Sequence, residues 1–339
     1  MNRNSTDLLN LLSKLTFRRI RNLALVFVGY YWSRFVKKPF VPGLPVSLSI
    51  EPTTSCNLRC PECPSGLRSF TRPTGMMNPS LTNAIVDELY PDLLYLIFYF
   101  QGEPFLNPDL LKMVEYAASK KIYTATSTNA HYITPETAEK IVLSGLDRLI
   151  ISLDGISQEV YQQYRKGGTL NKVLEGAQYV VEAKKKLHSK TPHTIFQFLV
   201  TGKNEHEIPL AKALANKMGV EIAFKTAQIY DYENGNPLIP TLPQYSRYKK
   251  NKSGSFEIKN TLDNHCWRLW QSSVVTWDGK VVPCCFDKDA SYRLGDVTQN
   301  SFASVWKSKS YQNFRQSVLI SRKETDICRN CSEGTKVWS

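Results

Sequence analysis

Three cysteines, Cys56, Cys60 and Cys63, are spaced C-x3-C-x2-C directly after an alternating apolar stretch. A 4Fe-4S cluster takes four protein sulfurs, so a compact triplet leaves one iron open to a small chelating ligand, whereas closed structural sites fill every position. An open position points to chemistry. The plainer alternatives are a zinc knuckle that borrows a distant fourth ligand, or a chance clustering of cysteines. A second group, Cys266, Cys284, Cys285, Cys328 and Cys331, begins about two hundred residues later and ends in C-x2-C. Cys266, Cys284, Cys328 and Cys331 would close a tetrahedral sulfur site suited to zinc or to an iron-sulfur cluster, with Cys285 as the alternative to Cys284. The plain role of the spare cysteine is that of a small buried hydrophobe.

The segment Cys-Asn-Leu-Arg-Cys-Pro-Glu-Cys at 56 to 63 resembles the cluster loop of the radical S-adenosylmethionine (radical SAM) enzymes, and Gln101, Gly102, Glu103 and Pro104 resemble that family's Gly-Gly-Glu-Pro turn after the second strand. One glycine has become glutamine, which leaves Gly102 for close backbone approach and Glu103 to meet an ammonium group. Glu62 stands where many relatives place an aromatic residue against the adenine. The resemblance further implies that Ser127, Asn129 and Ser152, with Thr128 less firmly placed, hold the cofactor's ribose and neighbouring groups, and that Arg165 pairs with its carboxylate. Read alone, Ser-Leu-Asp-Gly at 152 to 155 is an ordinary turn and Asn129 an ordinary loop residue. The C-terminal cysteines resemble the auxiliary-cluster (SPASM or twitch) domain in its one-cluster form. Two 4Fe-4S clusters and S-adenosylmethionine are thus the implied cofactors, with an external one-electron donor such as flavodoxin or ferredoxin. The implied chemistry is reductive cleavage to a 5′-deoxyadenosyl radical and removal of a hydrogen atom from substrate, with the auxiliary cluster accepting the remaining electron or holding the site together.

The elements that must position these residues alternate. Short β-branched or aromatic runs at 46–50, 95–100, 122–127, 148–153, 194–200 and 220–225 read as six strands. Helix-length segments lie between them, such as 107–120 with Pro108 suited to the first turn and 135–144 ended by Gly145. That order specifies an α/β chain with a parallel sheet and helical crossovers; the family resemblance implies a partial (β/α)6 barrel with the cofactor at the carboxyl ends of the strands. Residues 231–252, rich in Asn, Pro, Tyr and Lys, read as a turn or linker. Residues 274–283 read as a hairpin that delivers Cys284. Four segments follow: a basic amphipathic stretch at 1–42, the radical SAM barrel at 43–226, a linker at 227–262 and the SPASM/twitch extension at 263–339.

A chain of 339 residues with 42% hydrophobic residues has ample core for a globular enzyme. The cysteine pattern and the lack of a secretory segment favour a reducing compartment, the cytoplasm. Much of the net charge of +13 sits in the first forty residues, where Arg18, Arg19, Arg21, Arg34, Lys37 and Lys38 bracket an apolar run at 23–32. That run is too short to cross a bilayer. A basic helix of this kind either lies in anionic headgroups, giving peripheral attachment at the inner face of the membrane through residues 1–40, or packs against the barrel or another subunit. No nucleic-acid-binding repeat or helix-turn-helix pattern is present.

Three functions fit: a radical enzyme acting with net oxidation on a small molecule or lipid-linked metabolite, a maturase that modifies a peptide or protein, and a non-catalytic zinc-binding interaction protein. The N-terminal forty residues are too short and apolar for a winged-helix leader-binding domain, which disfavours the second. The third leaves the cysteine division and the Gln-Gly-Glu-Pro turn as coincidences. Tyr230, Asp231 and Glu233, just beyond the sixth strand, are the nearest base candidates, although such a neighbourhood is ordinarily a solvated loop.

Overall fold

The computed structural model describes residues 3–335, which divide into two compact units that do not follow sequence order: residues 3–55, 70–125 and 262–335, and residues 56–69 and 126–261. Among the described residues no helix is long and apolar enough to cross a membrane.

In the first unit, β1 (Ser47–Ile50), β2 (Tyr95–Ile97) and the start of β3 (Tyr123–Thr128) pair in parallel, with Ser47 opposite Tyr95 and Tyr95 opposite Tyr123. Leu48, Ile50 and Leu96 are fully buried, as strands covered on both faces require. The C-terminal segment is sewn onto the same sheet. After the two-stranded hairpin of residues 248–258 described below (β7 and β8), β9 (Ser272–Val275) runs parallel to β1, β10 (Lys280–Val282) returns antiparallel to it across Gly279, and β11 (Gly295–Asp296) pairs with β10. The cysteine-bearing C-terminal residues therefore share a sheet with the first β/α unit.

Two helices open this unit, α1 (Arg3–Ser13) and α2 (Phe17–Val36), the second capped by Thr16, which accepts from the Arg19 N–H. The buried face of α2 is polar. Arg19, 2% exposed, donates to the carbonyls of Lys14, Tyr90, Lys120 and Lys121, the last two at the end of helix Leu110–Ser119. Asn22 clasps Leu44 through both its amide groups, and the Ser33 hydroxyl accepts from the Phe40 N–H.

In the second unit, β4 (Arg148–Ser152), β5 (His193–Val200) and β6 (Glu221–Thr226) are parallel, with helices Gln158–Tyr164, Leu170–Lys186 and Ile208–Met218 in the crossovers. The remaining hairpin, β7 (Tyr248–Lys250) and β8 (Phe256–Ile258), falls in the stretch expected to be a turn or linker. Its strands are three residues long and carry charged residues, Lys249 and Lys250 in one and Glu257 in the other, so neither apolar period nor length marks them.

Other differences have local causes. The helix expected from 107 with Pro108 in its first turn begins instead at Leu110. Asn107 delays it: its side chain donates to the carbonyls of Pro52 and Met77 (2.8 and 3.0 Å) and accepts from the Asp109 N–H. The second strand stops at Ile97, short of Phe100, because the chain turns into Gly102 at φ 75°.

Arg19→Met leaves several buried carbonyls without donors and is expected to lower stability by about 3 kcal/mol. Denaturant unfolding checks this, and an unchanged midpoint would show that water replaces the guanidinium.

Candidate functional site

The cysteine triplet belongs to the second unit, on an irregular loop that ends where Cys63 caps the short helix Pro64–Leu67. Cys60 is buried, and Cys56 and Cys63 are half-buried. Leu58, Cys60, Tyr164, Ala227, Ile229 and Tyr248 form one apolar cluster against which Cys56 and Cys63 pack. The short helix approaches the Cys60 peptide closely: a Cβ on Gly66 would lie 2.5 Å from the Cys60 nitrogen and 2.6 Å from its oxygen. Nothing in the spacing of the cysteines points to Gly66.

Arg165 ties the triplet to the strand ends. Its Nε pairs with Asp154, fully buried after β4, while its Nη1 lies 3.8 Å from the Cys60 sulfur. Asp154 in turn accepts from the Leu199 N–H at 2.7 Å, and the Arg59 N–H donates to the Lys166 carbonyl at 2.9 Å. Burial pushes the Cys60 thiol up, with the Arg165 guanidinium pulling the other way. Burial also opposes the charge of Arg165, but Asp154 and Cys60 outweigh it and hold the guanidinium protonated. The arginine expected to meet a cofactor carboxylate is thus held by Asp154 and turned toward a thiol.

Asn129, 4% exposed, donates to the Asn57 side chain at 2.8 Å, within the cysteine loop. His131 braces this turn. Its Nδ1 faces the Asn129 carbonyl at 2.9 Å and its Nε2 accepts from the Thr169 N–H at 2.8 Å, which makes Nδ1 the protonated nitrogen of a neutral ring. Burial lowers its pKa accordingly. Thr128 spends its hydroxyl on the Ala130 N–H, Ser127 is half-buried and Ser152 is 6% exposed. Glu62 accepts from the Tyr230 N–H at 2.8 Å, and the Tyr230 phenol is pushed up to about 12 by burial, Cys63 and Glu62, so it keeps its proton at neutral pH. Asp231 and Glu233 are exposed.

The Gln101–Pro104 turn belongs to the first unit. Glu103, 2% exposed, donates its N–H to the Ser55 carbonyl at 2.7 Å, and a Cβ on Gly102 would collide with the Thr53 carbonyl. Gln101 is 8% exposed, with its amide nitrogen 3.0 Å from the Phe100 carbonyl, and Pro104 is buried.

The C-terminal cysteines lie in the same unit as that turn. Cys266, Cys328 and Cys331 are buried, Cys284 is half-buried and Cys285 is exposed. Burial and then Cys266 raise Cys328 to about 11 and Cys331 to about 12, and Cys284 rises through burial and the neighbouring Cys285, Cys331 and Cys266. Thiols that raise one another in this way stand together. Cys285 acts on Cys284 as well, and its own thiol is raised first by burial and lowered by Arg268. Gly334, at φ 80°, returns its carbonyl to the Trp267 N–H at 2.7 Å and leaves room where any Cβ would strike the Cys266 sulfur. Arg322, 1% exposed, points Nη2 at the Cys331 sulfur (3.4 Å) and at the Glu333 carbonyl (2.6 Å).

No cysteine is cross-linked to another. Among the described residues no three His, Cys, Asp or Glu side chains gather as the ligands of one ion do; thiolates of a cluster bind different irons and stand further apart. The donor sets are sulfur throughout, each with a guanidinium at one thiol, which suits an anionic iron-sulfur group.

The family model described as the radical SAM superfamily matches residues 50–214, and the one described as an iron-sulfur cluster-binding domain, SPASM, matches residues 266–332. Among curated proteins the chain is similar to the tungsten-containing aldehyde ferredoxin oxidoreductase cofactor-modifying protein of Pyrococcus furiosus, 26% identical over 84% of this chain and 86% of that one. It is 25% identical to PqqA peptide cyclase of Gluconobacter oxydans, over 88% of this chain and 86% of that one. The solved structure of SuiB of Streptococcus suis bound to S-adenosylmethionine has a TM-score of 0.62 at 14% identity, covering 86% of this chain and 73% of that chain, a likeness of fold.

The two glycines are expected to act separately. Gly66→Ala should reduce iron loading at the triplet and Gly334→Ala at the C-terminal group, each removing about half of the iron that two clusters carry. Iron per chain and the electron paramagnetic resonance of each reduced cluster check this; full loading in both variants would show that the backbone yields.

Proposed function

The chain belongs to the radical SAM superfamily and carries a C-terminal SPASM domain, and from that premise we propose that it removes a hydrogen atom from a small-molecule or lipid-linked substrate with net oxidation. S-adenosylmethionine and iron-sulfur clusters are its cofactors. When bound, they supply a 5′-deoxyadenosyl radical by one-electron reductive cleavage, the electron coming from a donor such as flavodoxin or ferredoxin.

The residues divide the remaining work. Cys56, Cys60 and Cys63 are assigned to the cluster with the open iron, and Cys266, Cys284, Cys328 and Cys331 to the auxiliary one, Cys284 over Cys285 because Cys331 and Cys266 act on it and not on Cys285. Arg165, anchored by Asp154, favours the Cys60 thiolate against the burial that opposes it. Asn129 and Ser152, together with Ser127, are assigned to the cofactor's ribose side and Gln101, Gly102, Glu103 and Pro104 to its ammonium. The observation that carries the reading is Arg165 at the Cys60 sulfur: a mostly buried guanidinium beside a buried thiol favours the thiolate that a metal needs.

Modification of a peptide or protein is supported as well, by the likeness to PqqA peptide cyclase over most of both chains. A zinc-binding interaction module leaves the match over residues 50–214 without a use. The basic N-terminal helices support peripheral attachment to the inner face of a membrane.

Anaerobically reconstituted protein is expected to hold about eight irons and to release 5′-deoxyadenosine on reduction, with Cys60→Ala retaining about four irons and losing cleavage by roughly a thousandfold or more. Zinc in place of iron, or cleavage that survives the substitution, would overturn the assignment.

A further inference from the structure

Helix α2 is built inside out. Its buried residues are Arg19, Asn22, Val26, Gly29, Tyr30 and Ser33, mostly polar or small, and each polar group among them is spent on holding the helix down. Tyr30 completes that set, its hydroxyl 2.9 Å from His265 Nδ1. The opposite face repeats at three- and four-residue intervals as Phe17, Ile20, Ala24, Val28, Tyr31 or Trp32, and Phe35, one stripe along the helix. Phe17 is 83% exposed and Phe35 82%, and Val28, Trp32 and Ile20 are all more than half exposed. Helix α1, pinned by the Tyr123 hydroxyl on Asp7, adds exposed Leu8, Leu9 and Leu12. Isolated exposed apolar residues are ordinary, but a stripe longer than five helical turns is not.

Charge identifies what covers the stripe. Asp7 is the sole acidic residue in the first fifty, and its carboxylate is taken by Tyr123. Arg21, Lys37 and Lys38 are exposed beside the stripe, and Arg34 stacks over the rings of Tyr30 and Tyr31. An aromatic and aliphatic band flanked by cations of one sign matches the acyl boundary and headgroups of an anionic bilayer. At the C-terminal end of the stripe a cleft of about 920 Å³ opens beside Tyr31 and Phe35, lined by Arg34, Lys37, Lys323 and His265. Among the described residues these three cations have no carboxylate partner, and the one carboxylate in the lining, Asp263, faces His265 at 3.7 Å.

We propose that the outward face of α1 and α2 docks on an anionic lipid bilayer, and that the Arg34, Lys37 and Lys323 cleft receives a lipid headgroup phosphate at its edge. This rests on the peripheral-membrane reading above and deepens it: the helices lie in the interface, their apolar stripe enters the acyl boundary, and the cleft selects phospholipid whose phosphate charge is not neutralised within the headgroup. A free small phosphate would not need the stripe, whose length points to a surface.

The reconstituted full-length protein is sedimented with vesicles of phosphatidylcholine alone and of phosphatidylcholine with phosphatidylglycerol. Wild type is expected to pellet with the anionic vesicles and to be released by salt. Phe17→Ser combined with Val28→Ser and Phe35→Ser should lower binding by roughly a hundredfold or more, and Arg34→Gln combined with Lys37→Gln and Lys323→Gln by about a hundredfold, with a weaker salt dependence. Circular dichroism and cluster absorbance confirm that both variants fold. Loss in the apolar variant with unchanged binding in the cleft variant overturns the headgroup site and leaves the membrane reading standing. Wild type that stays in the supernatant, or that forms a dimer which the apolar variant abolishes, overturns both.

Discussion

A thiol gives up its proton before it binds metal, and both cysteine groups stand where burial opposes that loss. The chain answers in the same way twice. Arg165 reaches Cys60 from the strand ends of one unit and Arg322 reaches Cys331 in the other, the first guanidinium mostly and the second almost wholly withdrawn from solvent, and each is held by a second partner, Asp154 in the first case and the carbonyls of His265 and Glu333 in the second. A buried cation stays charged at a thiol because those partners compensate its lost water. The surrounding structure follows from keeping these pairs dry and in register.

Backbone approach is the second condition. Peptide N–H groups and small side-chain donors can steady the sulfurs only if neighbouring chain comes within contact distance, and Gly66 and Gly334 make that approach where a Cβ would forbid it. The C-terminal hairpin meets its own condition by pairing β9 in parallel with β1, so that Cys284 follows β10, a strand held antiparallel to one already locked in the sheet.

The N-terminal helix shows that amphipathicity sets no direction by itself. A helix normally turns its apolar stripe inward. In α2 the inward face holds Arg19 and Asn22, whose hydrogen bonds to carbonyls at the end of one helix and to the loop at Leu44 decide the rotation, and the apolar stripe is left outside. Polar anchoring at a few buried positions outweighed a larger apolar area because each unmet carbonyl carries a desolvation cost.

The alternating apolar runs marked all six parallel strands to within a few residues, because the short-range pattern of a buried strand is written in consecutive side chains. Cysteine number and spacing likewise divide the thiols into a group of three at 56–63 and a group of five at 266–331, and the two groups fall in different compact units. The hairpin at Tyr248–Lys250 and Phe256–Ile258 escaped notice, being too short and too charged to carry a period. The partners of Arg165 and Arg322, the space at Gly66 and Gly334, the brace at His131 and the outward turn of α2 were decided only in three dimensions. Each depends on a contact between residues far apart in the chain, where sequence records the groups available but not which of them meet.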